Sequence, residues 1–120
     1  MLEYKESKFM NVRFEYLYRD AGNYKNWGDV IFSNVKNHDV PSLEQQVRES
    51  LIDGEFFVAE AAEVPVLRFP EYVRSLDHDW HEFYGLVPTE EIVSDVKNRS
   101  IDDFIKILSR EHDDLGEKLE

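Results

Sequence analysis

The sequence predicts one α+β domain over residues 1–120, an antiparallel sheet of about four strands with two helices packed on one face, in the order β-β-α-β-β-α. Three observations predict it. Val12, Phe14, Tyr16 and Tyr18 alternate with Arg13, Glu15, Leu17 and Arg19, the period of a strand with one buried face. Two other stretches repeat apolar residues at helical spacing, Leu43-Val47-Leu51 and Ile101-Phe104-Ile105-Leu108. The chain is 42% hydrophobic and 13% aromatic, enough to build a core without metals or disulfides.

Each element follows from its own residues. Positions 1–11 read as a polar lead-in and, with 111–120, as frayed termini. The first strand covers 12–19, and Leu17 on its polar side implies that part of this side is covered too. Asp20-Ala21-Gly22-Asn23 is a turn cluster. The second strand is expected over about 28–33, which leaves Asn23 to Trp27 as an aromatic-rich hairpin loop. Ser42 reads as the N-cap of the first helix, with Gln45 three residues on, and Asp53-Gly54 as its end. Residues 55–59 form a third strand, apolar on both sides. Ala59 to Glu63 has helical propensity, but Pro65 and Pro70 break any helix beyond it. The fourth strand runs from Trp80 to Val87 and ends at Pro88-Thr89. Ser100 caps the last helix, with Asp102 and Asp103 in the turn where the dipole favours anions; Gly116 is expected to stop it.

Composition narrows function by exclusion. The absence of cysteine removes disulfides, thiolate metal sites and a Cys nucleophile. No apolar run has the length of a membrane span, and the charged start Met-Leu-Glu-Tyr-Lys-Glu-Ser-Lys lacks a signal-peptide core, so a cytoplasmic location is expected. With 26 acidic and 14 basic residues the formal net charge is −12, a field that repels nucleic acid and anionic membranes and attracts basic partners. No phosphate loop, dinucleotide fingerprint or nucleophile elbow occurs, so no cofactor is expected and a binding role is expected ahead of an enzymatic one.

Two clusters carry the candidate sites. Tyr18, Arg19, Tyr24, Lys25 and Trp27, on the first hairpin, are the residue types of protein hot spots and are assigned to protein binding. Asp77-His78-Asp79-Trp80-His81-Glu82 gathers two imidazoles and three carboxylates, which makes His78 and His81 the candidate metal ligands, with His38 or His112 as distant additions. On a strand, however, residues three apart face opposite sides. An acid–base pair of His81 with Asp79 is the corresponding enzymatic reading.

Tyr18-Arg19-Asp20-Ala21-Gly22-Asn23-Tyr24-Lys25, Asp53-Gly54-Glu55-Phe56-Phe57 and Asp77-His78-Asp79-Trp80-His81-Glu82-Phe83 resemble stretches of a group of small uncharacterised bacterial proteins. The resemblance implies a microbial, stand-alone domain and carries over no activity and no site residue. The function expected is a small acidic module that occludes a basic surface of a protein partner, of the inhibitor, antitoxin, immunity or nucleic-acid-mimic kind. The alternatives are a metal-dependent or acid–base enzyme using 77–82, and a subunit of a larger assembly or homodimer whose partner covers an edge strand or aromatic patch.

Overall fold

The structure, a computed structural model, describes residues 10–70 and 80–119, with side chains through 113. It is α+β. Strands β1 (Asn11–Arg19), β2 (Lys25–Phe32), β3 (Phe56–Val58) and β4 (Trp80–Thr89) form one antiparallel sheet in the spatial order β2-β1-β4-β3. Helices α1 (Val40–Glu49), α2 (Ala59–Ala62) and α3 (Ile101–Leu119) complete it. The element order is therefore β-β-α-β-α-β-α, with a third, four-residue helix that the expected order lacked. Ala59 and Ala62 are fully buried, and Glu63, left-handed at φ 61°, ends that helix by returning its N–H to the Glu60 carbonyl.

Local chemistry moves several expected boundaries. The first turn closes within 20–24. The Asp20 carboxylate accepts the Tyr24 N–H at 2.8 Å, and Asn23 takes φ 70°. Strand pairing then resumes at once with Arg19 opposite Lys25, so Lys25, Asn26 and Trp27 belong to β2 and not to a loop. The cap of α1 is Asp39, whose side chain accepts the Ser42 N–H at 3.1 Å; Pro41 therefore lies inside the first turn, where its missing donor costs nothing. Ser100 does cap α3, its hydroxyl accepting the Asp103 N–H. That helix continues through Gly116 to Leu119, since one glycine weakens a helix by about 1 kcal/mol without forbidding it.

The strand β4 carries a bulge opposite Glu15 and Tyr16, where Tyr84 is the additional residue. His81 and Phe83 are buried before it and Leu86 after it, so the bulge moves the inward set from odd to even positions. The inner face of the sheet joins all three helices in one core. Phe14 lies at its centre, its ring 5.0 Å from those of Phe83 and Phe104 and 5.6 Å from that of Phe57. Phe32 stacks on Phe104 at 4.3 Å.

A buried ion pair ties the segment before α3 to this core. Asp95 accepts from the Arg99 backbone N–H, Nε and Nη2, and Arg99 donates further to the carbonyls of Ala62 and Glu63. The guanidinium lies over the rings of Phe104 and Phe32, at 5.2 and 5.6 Å. Burial pushes the Asp95 carboxyl up, but hydrogen bonds and charge from Arg99 prevail and hold it below the ordinary carboxylate value. The same segment covers one end of the β2 edge, where Ser94 bonds both the N–H and the carbonyl of Ile31.

Candidate functional site

The site is the outer face of the sheet. Cross-strand pairing places Arg13, Glu15, Leu17 and Arg19 of β1 beside Ile31, Asp29, Trp27 and Lys25 of β2. On the other flank Leu17 meets Glu82, and β3 adds Phe56 opposite Glu82. The residues of the three helices in the core pack with the opposite side of the strands. The result is an aromatic and acidic surface laid on a rigid scaffold.

At its centre Trp27 and Tyr84 meet edge to face, ring centroids 5.0 Å apart. They remain 53% and 61% exposed, large apolar area left in water. Beneath them Leu17 is buried, the cover that its place on the polar side of β1 implied. Glu15, Gly28 and Asp29 join the two rings around one shallow cleft. Arg19, Glu55, Phe56, Trp80 and Glu82 line a second. Much of the positive charge is already engaged. Arg19 grips Glu82 with two hydrogen bonds of 2.8 and 3.0 Å, and Arg13 contacts both Glu15 and Glu91 at 3.2 Å.

The five residues assigned to protein binding do not share one surface. Arg19, Lys25 and Trp27 lie on the outer face, and Tyr24 stands 73% exposed at the turn. Tyr18 is buried on the inner side, its ring 5.2 Å from that of His81. Tyr84, outward by the same alternation that buries His81 and Phe83, was not among the residues the sequence singled out; the bulge then keeps Gly85 outward and turns Leu86 inward. The signal of that bulge was the run Phe83-Tyr84-Gly85-Leu86, in which strict alternation fails at a strand glycine.

Of the second cluster, Asp77, His78 and Asp79 lie outside the described residues. His81 is completely buried, and its Nε2 accepts the Leu67 N–H at 2.9 Å, which occupies the lone pair a metal would need. Its neighbour Glu82 points to the opposite face and binds Arg19, so the two do not converge on a common site. His38 contacts Asp102 at 3.3 Å, and His112 contacts Asp113 at 3.6 Å. Among the described residues no group of three or more potential ligands could hold a metal ion. Nor is any described helix long and apolar enough to cross a membrane.

Elsewhere, buried Tyr16 and half-buried Glu111 have raised pKa values. Burial, with the nearby Asp29 charge, raises the Tyr16 hydroxyl well above its ordinary value while it donates to the Pro65 carbonyl at 2.7 Å. Burial also pushes the Glu111 carboxyl up to about 7, opposed by the hydrogen bond it accepts from the Val58 N–H. No protein-family model matches this chain, and no curated protein or solved structure is significantly similar to it.

Proposed function

We propose that this protein is a small acidic binding module that docks through the outer sheet face and occludes a basic surface of a protein partner, as an inhibitor, antitoxin, immunity protein or nucleic-acid mimic does. The observation that carries the reading is the exposed Trp27–Tyr84 pair beside the carboxylates of Glu15 and Asp29, with Glu55 and Glu82 lining a second cleft. Buried aromatic area supplies affinity in such a contact, and the surrounding charge supplies steering and choice of partner. Arg13 and Arg19 are paired with Glu15, Glu91 and Glu82 of the same chain, and with Asp29 and Glu55 the acids of the face outnumber Arg13, Arg19 and Lys25, which leaves it anionic, in keeping with the net charge of −12.

The test is affinity capture on the immobilised protein from a bacterial lysate, with salt and duplex DNA as separate competitors. The reading predicts basic proteins that bind at low salt and are released by about 0.5 M salt, where charges are screened within a few ångströms. Release by duplex DNA as well identifies the captured surface as a nucleic-acid-binding one. Partners that are neutral or acidic and indifferent to salt would count against it.

A further inference from the structure

The two edges of the sheet are treated differently. At β3, Phe56 is bridged on its free side by Ile52, and the Val58 N–H is taken by Glu111. At β2, Ile31 is covered by Ser94, and Ser33 beyond the strand accepts the Ile101 N–H. The groups of Ile31 that Ser94 receives point away from β1. Alternation along the strand therefore directs the N–H and carbonyl of Asp29, Trp27 and Lys25 outward as well. Those of Asp29, Trp27 and Lys25 have no hydrogen-bond partner among the described residues. Among the described residues a short stretch of edge, 25–29, is open.

Two charged side chains on this stretch, Lys25 and Asp29, are also unmatched among the described residues. Lys25 lies opposite Arg19, and Asp29 lies opposite Glu15, like charge beside like charge in both pairs. Arg19 and Glu15 have partners of their own in Glu82 and Arg13, whereas Lys25 and Asp29 have none among the described residues.

We infer that this edge pairs with the same edge of a second copy, antiparallel about a two-fold axis at Trp27. In that register Trp27 faces Trp27 of the other copy, and Lys25 faces the second copy's Asp29 at both ends. Each unmatched charge meets its opposite, and about six main-chain hydrogen bonds close the open groups. The strand that fits is short, as the site requires. On one side Ser94 blocks further pairing, and on the other the chain turns away at 20–24. The second copy's Tyr24, 73% exposed in the single chain, then comes opposite Val30. There a notch of about 270 Å³ is bounded by Val30, Pro65, Ser94 and Val96. Pairing joins the outer faces of both copies into one continuous surface. The inference does not depend on the nature of any basic partner.

The experiment is sedimentation equilibrium of the full chain over a wide concentration range at 0.15 M salt or above, where the mutual repulsion of two acidic copies is screened to about 8 Å. The expected weight-average mass rises from 14.2 kDa toward twice that value. Lys25→Asp and Asp29→Lys, each alone, set like charges against each other and weaken association at least tenfold. The double variant K25D/D29K restores it. Asp29→Pro, which removes only an outward N–H, weakens it without opening the β1 ladder. Circular dichroism and urea midpoints establish that the variants remain folded. A wild-type protein that stays monomeric at every concentration overturns the inference, and so does a dimer indifferent to the single charge changes or not restored by the double one.

Discussion

Replacing Arg99 with Met strips the fold of its buried cation while keeping a side chain of similar length. Arg99 is 10% exposed and its partner Asp95 1%. The change leaves a buried carboxylate without its counter-ion, which costs about 3–5 kcal/mol. It also removes donors from the Ala62 and Glu63 carbonyls, the contacts that hold α2 against the segment before α3. A domain of this size has a total stability of roughly 6–18 kcal/mol. The loss is thus a large share of it, and with a urea slope of about 1.5–2 kcal/mol/M the midpoint falls by about 2 M. The assay is urea unfolding followed by circular dichroism, with a second variant, D95L/R99M, in which both charges are gone. Removing a buried pair together is far less costly than orphaning one member, so the double variant unfolds later than Arg99→Met alone. A loss below about 1 kcal/mol in Arg99→Met would refute the reasoning, because that is the scale of a solvent-exposed pair.

Other predictions follow from the core and from α3. Phe14→Ala removes the ring on which Phe57, Phe83 and Phe104 converge and destabilises by about 3–5 kcal/mol, measurable in the same unfolding assay. Glu111 has its carboxyl raised from 4.5 to about 7, chiefly by burial. Between those values the folded chain holds a proton that the unfolded chain has released, so stability falls as pH rises through the window and this contribution is flat below it. Glu111→Gln keeps a carbonyl oxygen for the Val58 N–H, and it should flatten the decline in urea midpoint between pH 5 and pH 8. An unchanged pH profile in that variant would show that Glu111 is ionised in the folded protein.

Periodicity made the main strands and both long helices legible before any coordinates. The alternation over 12–19 and the Ile101-Phe104-Ile105-Leu108 repeat each describe a buried face that the structure contains. What stayed hidden was decided by single backbone events. Asn23 adopts a left-handed conformation, which closes the turn early enough to place Trp27 in a strand. The additional residue at Tyr84 breaks the alternation of β4, so that Leu86 and not Gly85 faces the core. Asp39 captures the cap that Ser42 was expected to provide, because Pro41 is readily accommodated in the first turn. Buried polar groups were the hardest to read. Nothing in Asp95-Val96-Lys97-Asn98-Arg99 distinguishes a buried pair from a solvated one until Ala62 and Phe104 are known to surround it. Likewise His81, chosen for its carboxylate neighbours, owes its environment to Tyr18, Phe57 and the Leu67 N–H, all remote in sequence.

The central claim is that the outer sheet face recognises a basic protein surface, and affinity capture with the Trp27→Ser/Tyr84→Ser variant tests it most directly. Both rings are more than half exposed, so the variant should keep its urea midpoint to within about 1 kcal/mol of stability. The prediction is that it loses at least tenfold in recovery of the basic, salt-sensitive proteins held by the unaltered chain. If the folded variant retains the same partners at the same salt, the outer face is not the binding surface.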